Sequence, residues 1–303
     1  MALPAYATLT ERLLHGLYLV VCGLILLFLI LPVLIIIPLS FNVEPYFSFT
    51  EGMLKFDPDA YSLRWYKDIF TNGMANPNEA DSTKWWADVW NNGQWIRAAR
   101  NSFFIAICST LIATFLGTLA ALGLSQSDMP ARSLITSLLI SPMIVPLVIT
   151  ATGMFFFYSD IGIAKTYLGV ILAHVTLGVP FVIITVTATL VGFDRSLIRA
   201  SQNLGANGWT TFRKVIMPLI APGMISGALF AFMTSLDEIV AVLFLADVEQ
   251  RTIPRQMWSG IREQISPTIL AVATVLVLMS IALLTVIELL RRRSERLRGI
   301  TPA

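Results

Sequence analysis

Six long apolar runs constrain this chain more than any other feature of its sequence. About 20 consecutive apolar residues, rising 1.5 Å each in an α-helix, are enough to cross the roughly 30 Å hydrocarbon core of a bilayer. Only 13% of the 303 residues are charged, against about 25% in a typical soluble protein. The sequence therefore predicts an all-α membrane protein with six transmembrane helices. The runs are Leu13 to Leu39, Asn101 to Leu124, Leu134 to Tyr158, Tyr167 to Val191, Leu219 to Leu245 and Pro267 to Leu290.

The basic residues predict which side of the membrane each loop occupies. An even number of spans places both termini on one side, and the arginines after the last run mark that side as cytoplasmic, because cytoplasmic loops are enriched in Lys and Arg. The polar segment between the fourth and fifth runs is also basic, so it falls on the same side. These basic residues are Arg195, Arg199, Arg213 and Lys214 in the loop, and Arg291, Arg292, Arg293, Arg296 and Arg298 in the tail.

This topology divides the chain into four segments. Residues 1–40 hold a cytoplasmic N-terminus and the first spanning helix, and residues 41–98 form a periplasmic segment with interfacial helices predicted over residues 59–70 and 83–96. Residues 99–290 form a five-helix core, with a cytoplasmic loop at 193–214, and residues 291–303 are a basic cytoplasmic tail. Tryptophans at the headgroup level explain the periplasmic segment without any ligand. The alternative is that this segment is an outer cap that touches a substrate-delivering protein.

The cytoplasmic loop has the pattern of two short helices joined at a glycine. Asp194 is placed to cap the first helix and Asn207 the second, while Gly205 suits the end of the first. Leu197, Ser201 and Leu204 share one face of the first helix, and Trp209, Phe212 and Ile216 share one face of the second. The simplest interpretation is a basic loop between two membrane helices, as the charge rule alone would supply.

The same loop resembles a signature of permease subunits of binding-protein-dependent ABC importers. Their pattern is Glu-Ala-Ala, three residues, Gly, nine residues, Ile, any residue, Leu and Pro. Ala200, Gly205 and Pro218 match it at the right spacing. Where the family has Glu, Ala, Ile and Leu, this chain has Arg199, Ser201, Val215 and Met217.

The resemblance implies the type I ABC importer permease fold and a set of partners. These would be a second homologous permease, two ATPase subunits and a periplasmic solute-binding protein, in a bacterial inner membrane. The chain has no Gly-rich phosphate loop, so ATP and Mg would be bound by the ATPase subunits and no cofactor by this chain. The residues implied to contact the ATPase are Arg199, Ala200, Ser201, Gly205 and Ala206.

Two adjacent carboxylates interrupt the fifth run. Asp237 and Glu238 lie within an otherwise apolar stretch, and intramembrane carboxylates usually face a wet cavity or a charged partner. We expect them, with Ser235, to line a substrate path that attracts a cation. The alternative is an interfacial pair that reaches water or pairs with Arg251 or Arg255 of the following loop.

Three segments resemble the second permease of spermidine/putrescine-type importers. They are Ser235-Leu236-Asp237-Glu238-Ile239-Val240, Gly178-Val179-Pro180-Phe181-Val182 and Gly192-Phe193-Asp194. The resemblance implies ATP-driven import of a small cationic solute, most consistently a polyamine, by alternating access. Importers of other amines, opines, amino acid derivatives, phosphonates or ferric iron remain alternatives.

Other functions have weaker support from the sequence. A self-contained channel or secondary transporter would need no partner, and a membrane-embedded enzyme would need a cluster of His, Asp or Cys that the sequence does not supply. Cys22 and Cys108 lie in apolar runs, which indicates neither a disulfide nor a metal site. His174 suits a hydrogen-bonded packing role better than proton transfer. The net charge of +2 is spread over helix ends and does not form a patch for nucleic acid.

Overall fold

The computed structural model describes residues 8–126, 128–191, 194, 196–263 and 266–297, and these residues are helical apart from turns and one isolated bridge between Asn42 and Tyr61. The predicted all-α fold is confirmed. Gly192, Phe193, Arg195 and Arg298, which the sequence analysis singled out, lie outside the described residues. The helices in chain order are α1 (Leu9–Leu39), α2 (Glu51–Leu54), α3 (Arg64–Thr71), α4 (Ser82–Asn92), α5 (Gln94–Leu124), α6 (Arg132–Ile140), α7 (Leu147–Asp160), α8 (Tyr167–Val191), α9 (Ser196–Asn203), α10 (Gly208–Thr211), α11 (Met217–Asp237), α12 (Val240–Leu245), α13 (Ile253–Glu263) and α14 (Thr268–Leu297).

Four helices of the described residues are long and apolar enough to cross a membrane. They are α1, α5, α8 and the continuous helix Gly208–Asp237. A fifth span is formed if α6 and α7 count as one bent segment, and the apolar stretch Thr268–Ala282 of α14 is shorter. The number of six spans therefore remains a prediction.

The third apolar run is a broken helix rather than a straight one. Residues Arg132–Met143 and Leu147–Asp160 meet at an angle of 97°. Pro142 is the second residue of the 3-10 turn Ser141–Met143, and Pro146 precedes α7 with an extended backbone (ψ 126°). Because proline has no amide N–H and disfavours helix in the residue before it, two prolines four residues apart end one helix and start another.

Contacts between Cα atoms divide the chain into two units, residues 1–77 with 260–303, and residues 78–259. In the first unit α14 packs against α1 and α3. The hydroxyl of Thr268 donates a hydrogen bond to Oδ2 of Asp68 (2.6 Å), which ties α14 to α3. The indole N–H of Trp65 donates to the carbonyl of Asn42 (2.7 Å), so this tryptophan is held within the protein.

The helices expected in the outer polar segment differ from the prediction at their ends. Residues 58–60 form a 3-10 turn and α3 begins only at Arg64, so the helix predicted from Asp59 is wrong in its first turn. The helix predicted over residues 83–96 ends at Asn92, and Gln94 already begins α5. Gly93 separates the two, with the extended ψ of 112° that a helix does not allow.

The second unit is built on three mutually packed helices, α5, α8 and α11. Residues at four-residue spacing line the contact, and those on α5 and α11 are small, which lets the backbones approach closely. An added Cβ at Gly117 would lie 2.6 Å from Cβ of Val182, and one at Gly227 would lie 2.8 Å from Cα of the same valine. The contact lines are Ser109, Ala113, Gly117 and Ala121 on α5, His174, Gly178, Val182 and Val186 on α8, and Gly223, Gly227, Ala231 and Ser235 on α11.

Candidate functional site

The elbow, defined here as residues 196–211, begins with α9. Oδ1 of Asp194 accepts a hydrogen bond from the backbone N–H of Ser196 (2.8 Å), and Oδ2 accepts one from its hydroxyl (2.6 Å). These two bonds hold the pKa of the Asp194 carboxyl below its ordinary value. The predicted cap is therefore confirmed.

Gly205 ends α9 as predicted. Its φ of +82° is a left-handed conformation that glycine adopts at little cost. The N–H of Ala206 donates to the carbonyl of Ser201, and that of Gly205 to the carbonyl of Gln202. This pair of bonds is the Schellman arrangement, which satisfies carbonyls that a helix end otherwise leaves unpaired.

The second half of the elbow is not a separate short helix, so that prediction is wrong. Asn207 caps α10 by accepting a hydrogen bond from the N–H of Thr210 (2.8 Å), as predicted. Beyond Thr211, however, a π-turn at Phe212–Ile216 leads directly into α11, and Gly208–Asp237 is one helix. The π-turn precedes Pro218, whose missing N–H removes one ordinary helical bond there.

A side-chain hydrogen bond joins the two arms of the elbow. The hydroxyls of Ser201 and Thr211 are 2.9 Å apart, and Thr211 is buried. Since Thr211 belongs to the long helix Gly208–Asp237, α9 is connected to the base of that helix and not only to the preceding loop.

The elbow leaves large apolar side chains uncovered. Leu204 is 88% exposed and Trp209 is 68% exposed. Arg199 and Ala200 are exposed as well, whereas Ala206 is half-buried. Of the predicted ATPase-contacting residues, the structure thus brings Ser201 into the inner contact and leaves Arg199, Ala200 and Gly205 on the surface.

At its other end, α11 stops at the acidic pair, so the single helix expected over residues 219–245 is wrong. Asp237 is the last residue of α11 and is exposed. Glu238 has an extended backbone and is 7% exposed, and its Oε1 accepts a hydrogen bond from the N–H of Ala241 (2.8 Å). The glutamate therefore satisfies an N–H in the first turn of the next helix, α12.

Ser235 lies one turn before the pair, inside the contact of the three packed helices. Its hydroxyl is 2.6 Å from Nδ1 of His174 and 3.2 Å from the hydroxyl of Ser109. His174 is 2% exposed, which agrees with the packing role expected for it. Whether Ser235, Asp237 and Glu238 line a path remains a prediction.

A second set of polar residues was not found by sequence reasoning. The side-chain amide of Asn101 donates to the backbone carbonyls of Glu249 (2.6 Å) and Arg251 (2.9 Å), and its carbonyl accepts from the hydroxyl of Tyr167 (2.9 Å). The signal available was a lone amide at the start of an apolar run. These bonds fix the loop after α12 to α5.

No group of three or more His, Cys, Asp or Glu that could hold a metal ion occurs among the residues that the structure describes. The site consists instead of the elbow at one end of the helix Gly208–Asp237 and the acidic pair at the other. At about 1.5 Å per residue, the 30 residues of that helix separate the two by roughly 45 Å along its path.

Residues 113–298 match the family model described as the inner membrane component of binding-protein-dependent transport systems. The spermidine/putrescine transport system permease protein PotC of Haemophilus influenzae is 28% identical over 268 residues, which cover 88% of this chain and 93% of that protein. The putrescine transport system permease protein PotI of Escherichia coli K12 is 29% identical over 286 residues, covering 91% and 92%.

A solved structure shares the fold. It is the crystal structure of a bacterial ABC transporter involved in the import of the acidic polysaccharide alginate. One of its chains superimposes with a TM-score of 0.65 at 14% identity, covering 95% of this chain and 99% of that one. At this identity the likeness concerns the fold alone.

Proposed function

This chain belongs to the family of inner membrane components of binding-protein-dependent transport systems, and from its relatives PotC and PotI we infer that it takes part in the import of a polyamine. Its class is a permease subunit of an ABC importer, a membrane component without enzymatic activity of its own. The inference of the solute depends on relatives named for spermidine and putrescine transport that align with about nine-tenths of the chain.

The acidic pair supports a cationic solute. Asp237 is exposed at the end of α11, where the helix stops and Glu238 continues with an extended backbone. A carboxylate at a helix C-terminus meets the negative end of the helix dipole, so the local potential favours a cation. We assign Asp237 the direct contact with an amine, and Glu238 the positioning of that contact through its cap on α12.

The elbow supports coupling to a separate ATPase subunit. Exposed Leu204 and Trp209 provide an apolar surface that a partner would bury, at about 25 cal/mol for each Å². The Ser201–Thr211 bond would pass a displacement of the elbow to the helix that ends at Asp237. We propose that this displacement alternately opens the path to each side.

The partners and the membrane orientation of the chain complete its proposed role. The family description supports a solute-binding protein as partner and a location in an inner membrane. We further propose a second homologous permease, two ATPase subunits, and an orientation with both termini and the elbow in the cytoplasm. The proposed segments are 1–40, 41–98, 99–290 with the loop 193–214, and 291–303, as the sequence predicts.

Uptake measurements test the solute. Cells that lack polyamine uptake and express the whole transporter should accumulate labelled putrescine or spermidine, and Asp237→Asn should reduce the rate at least tenfold. Asp160→Asn is a matched control, because Asp160 is the exposed last residue of another apolar helix, α7. Polyamine uptake that is equal in the Asp237→Asn variant would refute the contact. Uptake of a phosphonate, an opine or ferric iron instead would refute the proposal that the solute is a polyamine.

A further inference from the structure

A small cleft lies beside the start of α5, in the loop that Asn101 fixes. Its volume is about 60 Å³. One wall is the first turn of α5 and the other is formed by the loop after α12 and by α13. The lining residues are Gln94, Arg97, Ala98, Val248, Arg251 and Gln256. We name it the outer cleft, since the proposed orientation places this end of α5 outside the membrane.

Hydrogen-bond donors exceed acceptors in the outer cleft. Arg251 Nη1 donates to Oε1 of Gln256 (3.1 Å), and Nε2 of Gln256 donates to Oε1 of Gln94 (3.2 Å), so both amide oxygens already accept a bond. The Nε–H of Arg251 is buried and has no hydrogen-bond partner among the described residues. No carboxylate lines the cleft in the part of the chain that the structure describes. A buried unpaired donor is costly, which indicates a missing acceptor.

Arg97 adds a second guanidinium that lacks an acceptor in the cleft. Arg97 is half-buried, and no hydrogen bond or ion pair of its side chain occurs within the described ranges. The cleft therefore holds two cations with unpaired donors and, among the residues that the structure describes, no carboxylate. Such an arrangement is unfavourable by itself and becomes favourable when an anion enters.

The backbone adds positive potential to the outer cleft. α5 begins with Gly93 as its N-cap, which supplies no side-chain cap, and its first turn holds no acidic residue. The N-terminus of a long helix carries about half a positive charge. Arg251 also contributes to lowering the pKa of nearby Arg255, although burial is the larger cause. Asp247 acts on the pKa of Arg255 in the opposite direction, but no carboxylate of the described residues lines the cleft itself.

The cleft is preorganised. Asn101 of α5 binds the backbone carbonyl of Arg251 (2.9 Å), and Ser102 of α5 accepts a hydrogen bond from the N–H of Ile253 (2.8 Å). Ile253, two residues beyond Arg251, is thus tied to the same helix that carries Arg97. The guanidinium of Arg251, which Gln256 already holds, therefore loses little freedom when it binds a carboxylate.

We propose that the outer cleft binds a carboxylate side chain of the solute-binding protein that delivers solute to this permease. The partner and the sidedness depend on the proposed function, whereas the chemistry of the cleft follows from its own residues. The cleft is too small for a whole polyamine, and its charge repels cations. A carboxylate can accept two parallel N–H bonds from a guanidinium, which also would pair the free Nε–H of Arg251.

Binding of the solute-binding protein to the complete transporter tests the proposal. With the transporter in lipid nanodiscs, Arg97→Gln and Arg251→Gln should each weaken that binding about tenfold or more, because each loses a charged hydrogen bond at the interface. Arg97→Lys should keep part of the affinity, since the charge remains without the bidentate geometry. The affinity of the unaltered transporter should fall more steeply with salt than that of the Arg97→Gln variant.

Arg100→Gln is the matched control. Arg100 lies one turn further along α5, donates to the carbonyl of Trp90 and stacks on its ring at 4.1 Å. Its replacement should leave both affinity and basal ATP hydrolysis unchanged. Unchanged binding in Arg97→Gln, or an equal loss in Arg100→Gln, would overturn the cleft proposal. If Arg251→Gln does not assemble, Arg97→Gln decides the matter alone. Failure of the proposed function would appear differently, as no response of the unaltered transporter to any solute-binding protein.

Discussion

The three-helix contact of α5, α8 and α11 and the elbow use apolar surface in opposite ways. In the contact, glycine and alanine let the helices approach so closely that an added methyl at Gly227 would lie 2.8 Å from the backbone of Val182. In the elbow, Leu204 and Trp209 are left largely exposed beside basic residues. The first region is therefore packed within the chain, whereas the second leaves apolar surface that the proposed ATPase subunit would cover.

The largest expected effect concerns the helix contact. Gly227→Ala should destabilise the transporter by about 1–3 kcal/mol, because the backbone of α8 cannot move away without losing other contacts. Thermal unfolding of the purified transporter in detergent measures this as a lower Tm. Gly153→Ala is the control, since an added Cβ there has nothing within 4 Å, and a helical alanine is preferred to glycine by roughly 0.5–1 kcal/mol. A lower Tm for Gly153→Ala, or an unchanged Tm for Gly227→Ala, would remove the contrast between an internally packed contact and open surface.

The next effect concerns the exposed residues of the elbow. Replacing Leu204 and Trp209 together by Ser should change the free energy of unfolding by no more than about 0.5 kcal/mol, as is usual for surface substitutions. The Tm should therefore stay nearly the same. The affinity for the ATPase subunit should fall about tenfold or more, because the partner loses the apolar surface that it buries. Gln202→Ser, at an exposed polar position of the same elbow, should change neither quantity. If Tm falls with the affinity, these side chains stabilise this chain itself and the two regions do not differ as described.

The smallest effect separates two glycines of the elbow. Gly205 and Gly208 both have open space around an added Cβ, but only Gly205 has a positive φ, +82°. Gly205→Ala should therefore cost about 1–2 kcal/mol of local stability, seen as faster amide hydrogen exchange in residues 196–206. Gly208→Ala should slow exchange or leave it unchanged, since it favours helix. Equal behaviour of the two variants would show that the turn does not depend on the left-handed backbone.

Local chemistry made part of the elbow predictable. Asp194, Gly205 and Asn207 act through backbone groups within three residues, so capping rules identified all three from the sequence. The continuation of α10 into α11 was missed because a π-turn before Pro218 can be accommodated without a break.

The packed contact and the helix break at the acidic pair were harder to predict from the sequence. The register of α5, α8 and α11 depends on which small residues meet, and the line Ser109, Ala113, Gly117 and Ala121 was not among the predicted features. The break after Asp237 depends on one oxygen of Glu238 reaching Ala241. The outer cleft joins residues that are far apart in the chain, Gln94 and Gln256, so its geometry appears only in the folded protein.

Cross-linking from the elbow tests the central claim most directly. In the assembled transporter, with Cys22 and Cys108 replaced by Ser, a cysteine introduced by Leu204→Cys should be joined by a short bifunctional reagent to the ATPase subunit. The yield should change between the ATP-bound and nucleotide-free states as the elbow follows that subunit. Absence of any such product, or a product with the solute-binding protein instead, would contradict the assignment of the elbow as the ATPase contact.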